Sequence, residues 1–106
     1  MSVKLLLLKS GDQIISDVKE IVRSEGESRV VEGYLFSKPH KISAIKPVVL
    51  TENFNDERNV EITLSPWILL TGDKEMTVPK EWVITIVNPI ESVVEMYQEK
   101  VNGESN

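Results

Sequence analysis

Apolar residues along this chain recur mostly at strand spacing, in runs separated by polar corners that carry glycine; only the last stretch switches to helical spacing. The first run, Val3–Leu8, is apolar without interruption from Leu5 to Leu8. A strand of that kind needs apolar neighbours on both faces, as in a small barrel whose outer side is covered by a helix or a second subunit. Lys9, Ser10, Gly11 and Asp12 then predict a tight corner. In residues 13–23, helical spacing through Ile14, Val18, Ile21 and Val22 competes with strand spacing. The turn signal just before it and the β-branched residues within it favour a strand.

Residues 24–28 form a polar loop with a glycine, and residues 29–36 predict a third strand through Val30, Val31, Tyr34, Leu35 and Phe36. Gly33 inside that strand marks a bend, as a tightly curved sheet requires. From 37 to 59 the pattern changes. Pro39 and Pro47 interrupt it, residues 42–50 form a candidate edge strand, and residues 53–59 a polar loop tip. So long an excursion in a small domain predicts a projecting hairpin or a mobile loop.

Residues 60–71 and 76–88 read as two closing strands joined by a turn at 71–75. Pro66 has no backbone donor, which puts its strand at an edge or gives it a bulge. Trp82, Ile84 and Ile86 alternate with Val83, Thr85 and Val87, so both faces of the last strand are largely apolar. This is more apolar surface than one small subunit covers. The end of the chain carries a helix signal over residues 88–102. Asn88 fits the N-cap, Pro89 the first turn and Glu91 the reach back to the cap, while Gly103 suits the stop. Ile90, Val93, Val94, Tyr97 and Val101 fall on one stripe, which is read as core packing. The expected fold is therefore mainly β, a small five-stranded bent antiparallel sheet or barrel with a C-terminal α-helix. It occupies a single domain over residues 1–103, and residues 104–106 are expected to fray.

Composition narrows the function. The chain has 106 residues, enough for one core, and 41% hydrophobic with 27% charged residues is ordinary for a globular protein. The net charge of -5 weighs against nucleic-acid binding over the whole surface and leaves room for a local basic site. With no cysteine there are no disulfides and no thiolate chemistry, which suits a reducing cytoplasm. The apolar run at Leu5 to Leu8 is too short for a membrane span or a secretory leader, so no membrane is expected.

The order of elements resembles that of Sm-like proteins, including the bacterial Hfq branch. The likeness is carried by residues 3–18, VKLLLLKSGDQIISDV, which resemble the first half of that family's first motif, and more weakly by residues 82–87 as a closing strand. It is especially similar to Sm-like proteins assigned to cyanophages among marine sequences, in which a helix of this kind comes last. The resemblance implies a homo-oligomeric ring, of roughly five to seven copies closed head to tail, that binds single-stranded RNA, in the cytoplasm of a host cell if the gene is a phage's. Ring formation also has a physical basis, because an open sheet leaves edge donors and acceptors for a neighbour's strand. The family's two pore-loop motifs are absent. Residues 23–29 (RSEGESR) stand at the first place and residues 71–75 (TGDKE) at the second, leaving Arg23, Arg29 and Lys74 as the cations found there.

A basic stretch offers another contact surface. No acidic residue occurs between Gly33 and Thr51, while Lys38, His40, Lys41 and Lys46 lie near Tyr34 and Phe36. Cations serve phosphates and aromatics serve base stacking. The competing reading is that Tyr34 and Phe36 are core and the lysines solubilise a protruding loop. Arg23 and Arg29 flank Glu25 and Glu27, a loop that compensates its own charge. Catalysis finds little support. His40 is the only histidine, which excludes a histidine metal cluster in one subunit, and no glycine-rich phosphate loop occurs. The carboxylate pairs Glu25 with Glu27 and Asp56 with Glu57 sit in polar loops. The expectation is a non-enzyme without cofactor or metal, either an RNA-binding ring or a structural or adaptor ring for protein contacts.

Overall fold

A computed structural model describes residues 2–44 and 61–104. Six antiparallel strands form one sheet: β1 (Val3–Leu8), β2 (Gln13–Glu25), β3 (Ser28–Ala44), β4 (Ile62–Pro66), β5 (Glu75–Pro79) and β6 (Val83–Val87). A 3-10 turn at Lys80–Trp82 precedes β6, and helix α1 (Glu91–Glu104) ends the described chain. The strand order is β4-β3-β2-β1-β6, with β5 also paired to β3, and among the described residues the sheet does not close. The fold is thus mainly β with a C-terminal helix, but among the described residues it is an open sheet of six strands instead of a closed barrel or a five-stranded sheet.

The extra strand has a local cause. Residues 76–88 do not run as one strand, because the 3-10 turn after Pro79 separates β5, which pairs with β3, from β6, which pairs with β1. Similarly, of the strand expected over residues 60–71, described from residue 61 onward, only Ile62–Pro66 is seen in the sheet. Pro66 ends β4, a terminal strand of the sheet path, where its missing donor costs nothing.

The largest departure is β3. Residues 37–44, expected to open the excursion, complete this strand, and residues 45–59 of that excursion lie outside the described residues. Pro39 is accommodated by a bulge. Ile15 pairs with His40 and Asp17 with Ser37, so that Lys38 and Pro39 together oppose Ser16 alone. On its other side β3 pairs β5 through residues 33–37 and β4 through residues 40–44, so the bulge lies where it passes from one partner to the next.

Both faces of the sheet are covered in part, which accounts for the unbroken apolar run of β1. Leu6 and Leu8 enter a core with Ile14, Val18, Phe36 and Val78. On the opposite face Ile15, Leu64 and Tyr97 form a second core, against which Val3, Val93 and Val101 pack. Helix α1 therefore covers the second face through Val93, Tyr97 and Val101, whereas Ile90 of the expected stripe is 50% exposed. Its start differs from the expected cap. Val93 and Val94 donate to the Ile90 carbonyl, at 3.0 and 3.1 Å, and the helix begins at Glu91. The Asn88 side chain instead accepts a hydrogen bond from Lys4 Nζ at 2.6 Å, which ties the helix entry to β1.

Gly33 is required by packing more than by dihedral freedom. A Cβ at this position would lie 2.7 Å from the Val78 carbonyl oxygen, so β5 approaches β3 closely only because the side chain is missing. A register shift in the β2–β3 ladder lies alongside, between Ile21 and Val22.

Candidate nucleic-acid interface

The β3 bulge brings candidate residues together. Lys38 has φ 51°, a left-handed conformation that side-chain-bearing residues rarely adopt. In that position its N–H donates to the Lys74 carbonyl at 2.6 Å, and the next carbonyl, of Pro39, accepts from the Trp67 N–H at 3.1 Å. Two strand ends and a loop are thereby pinned around one cleft. Lys38, His40, Trp67, Asp73, Lys74 and Met76 are among the residues that line it, with a volume of about 130 Å³. That is below the ~300–1,000 Å³ of sites that enclose a drug-sized ligand, and it suits one planar group with the rest of the ligand outside. The Trp67 ring also packs on Phe36, with centroids 5.9 Å apart, so its orientation is fixed from the core side. An aromatic side chain that lines a cleft together with two lysines offers a surface for base stacking with phosphate contacts.

Of the residues expected from sequence, Lys38, His40 and Lys74 meet at this cleft. His40 is only 2% exposed, so it shapes the wall and is not a contact cation. Its Nδ1 lies 2.9 Å from the Lys38 carbonyl; since a carbonyl only accepts, Nδ1 is the donor. Lys41 points elsewhere and pairs with Asp12 at 3.4 Å. Arg23 is engaged by Glu25 at 3.4 Å, within the loop expected to compensate its own charge, and more closely by Glu32 of β3 at 3.1 Å, outside that loop. Arg29 and half-buried Tyr34 line a separate open groove with Lys4, Lys19 and Glu20. Lys46 lies outside the described residues. The basic stretch is thus not one patch, because alternate strand residues face opposite sides and the bulge breaks the alternation at Lys38.

Sequence reasoning missed Trp67, the aromatic of the cleft. Its signal was its place one residue after Pro66, where the strand stops and the chain turns across the bulge. Three buried or nearly buried polar side chains support the bulge from behind. Ser16 Oγ donates to the Ser37 carbonyl (2.9 Å) and lies 3.0 Å from that of Asp17. The Tyr97 hydroxyl lies 3.0 Å from the Ser37 carbonyl and 3.1 Å from that of Lys38, and accepts from the Asp17 N–H at 3.3 Å. His40 and Tyr97 meet edge to face at 5.7 Å. Carbonyls that a bulge takes out of the ladder are satisfied in this way by side chains.

Among the described residues no group of three or more His, Asp or Glu side chains could hold a metal ion. No helix there is long and apolar enough to cross a membrane. No curated protein matches the chain. A family model described as a family of unknown function, DUF6561, matches residues 1–102, so the chain belongs to that family.

Proposed function

We propose that the chain is the repeating unit of an Sm-like ring that binds single-stranded RNA, one base at the Trp67 cleft of each subunit. The observation that carries the ligand is the pinning of Lys38 and Lys74 beside Trp67 by backbone hydrogen bonds. Two weak cationic contacts per subunit are insufficient alone, and repetition around a ring multiplies them. Assembly is supported by the margins of the sheet. Among the described residues β6 pairs with β1 alone, and Ile84 on it is 60% exposed. Near the opposite margin, after β4, Leu70 is fully exposed, next to Ile68 and Leu69 of the cleft wall. Apolar residues at both margins suit a head-to-tail contact between copies, which closes into a cycle. The absence of cysteine fits a cytoplasmic setting, and no catalytic step is assigned.

A second reading, a structural or adaptor ring without nucleic acid, is favoured by the engagement of Arg23 and Lys41 with carboxylates and by the net charge of -5. Filter binding of poly-U and poly-A at two salt concentrations separates the two. Phosphate contacts give a log-log salt slope of about -0.7 for each single-strand contact. The combined change Lys38→Ser and Lys74→Ser is expected to remove binding and leave assembly intact. No salt-dependent binding by the unaltered protein leaves the adaptor reading standing in its place.

A further inference from the structure

The back of the β3 bulge is held from the helix side, and His40, which lines the cleft, stands between the cleft and the helix. Lys38 is strained by its positive φ, and such a conformation persists only where its surroundings over-determine it. Its amide is held on the cleft side by the Lys74 carbonyl. Its carbonyl faces the helix side, within hydrogen-bond distance of the Tyr97 hydroxyl and of His40 Nδ1. Tyr97 stands near the middle of α1, is 3% exposed, and bonds β2 through the Asp17 N–H as well. One hydroxyl therefore connects the helix to both strands at the point where β3 departs from regular pairing. A second cavity, lined by Ser37, Lys38, Tyr97 and Val101, lies on that helix side, so Lys38 is a wall shared by two cavities.

We infer that Tyr97 is a positioning residue for the Trp67 cleft: its hydroxyl stabilises the left-handed turn at Lys38, and docking of α1 is thereby coupled to the occupancy of the cleft. The inference deepens the RNA reading, on which its ligand half rests. Its structural half does not depend on a ligand. With the hydroxyl removed, the Lys38 carbonyl keeps His40 and the Ser37 carbonyl keeps Ser16 Oγ, but both lose their tie to the helix, and the Asp17 amide loses the hydroxyl as acceptor. The strained turn then loses its support from the helix, and the amides of Lys38 and Trp67, which close the cleft, open more often. Coupling is reciprocal, so a ligand that holds Lys38 and Trp67 in place also holds the helix down.

The test is hydrogen exchange on Tyr97→Phe, which keeps the ring and its packing while removing the oxygen. Exchange at the Lys38 and Trp67 amides is expected to rise about fivefold, the factor that one hydrogen bond of ordinary net strength corresponds to, with the far-ultraviolet circular dichroism unchanged. Poly-U affinity is expected to fall by a similar factor. Adding Lys38→Gly to Tyr97→Phe relieves the left-handed strain and is expected to return Trp67 exchange toward the original rate. A role of Tyr97 in helix packing alone would show no such recovery. Unchanged exchange at Lys38 and Trp67 in Tyr97→Phe overturns the coupling whether or not RNA binds. If the unaltered protein does not bind poly-U, the RNA reading fails, and the exchange result still decides the positioning role.

Discussion

Gly33→Ala places a methyl group where the structure has no room for it. The new Cβ would stand 2.7 Å from the Val78 carbonyl oxygen, against 3.4 Å or more for an ordinary contact. The obstacle is backbone, so no side chain can rotate away. Strands β3 and β5 must part by several tenths of an ångström along a ladder that runs from Gly33 opposite Pro79 to Ser37 opposite Glu75. Forced overpacking of this kind costs about 1–3 kcal/mol. Alanine also restricts the unfolded chain, which returns about 0.4–1 kcal/mol. The net expectation is a loss of about 1–2 kcal/mol, equivalent to a melting temperature lower by roughly 5–15 °C in a domain of this size. Gly72→Ala is the matched control, because its Cβ meets nothing and its backbone has no left-handed φ. It is expected to be neutral or slightly stabilising. Thermal melts and urea titrations at one fixed protein concentration read both variants. A Gly33→Ala protein that melts at or above the original temperature would refute the close approach of β5 to β3.

Two further outcomes follow from the same geometry. Ile84→Lys puts a charge on the open margin of β6, where the native side chain is exposed; it is expected to shift the solution mass toward a single subunit while changing fold stability by less than about 0.5 kcal/mol, read by light scattering and circular dichroism. Lys41→Ser breaks an exposed ion pair with Asp12 and is expected to lower stability by no more than about 1 kcal/mol and to leave poly-U affinity unchanged, in contrast to the Lys38 and Lys74 changes.

What the sequence made legible follows from the kind of signal each feature leaves. The continuous leucines of β1 demanded cover on both faces, and the structure supplies two cores, with α1 over one of them. The apolar stripe through Val93, Tyr97 and Val101 located the helix, because packing at helical spacing is written in adjacent turns. Its start was misplaced because the Asn88 side chain, a good cap by composition, is taken by Lys4 from another strand. The same limit applied to β3. Pro39 reads locally as a breaker, and nothing nearby indicates that Ser16, His40 and Tyr97 supply the hydrogen bonds a bulge needs. The candidate site was half legible for this reason. Charge and aromatic content pointed to Lys38 and the pore-loop position of the family resemblance to Lys74, whereas Trp67 joined them through a backbone contact between distant segments.

The mass of the purified protein in solution, by sedimentation equilibrium across a range of concentrations, tests the central claim that this open sheet is completed by copies of itself. A single species of roughly five to seven times the 12.0 kDa subunit, stable to dilution, is the predicted result. A 12.0 kDa particle at every concentration would contradict it.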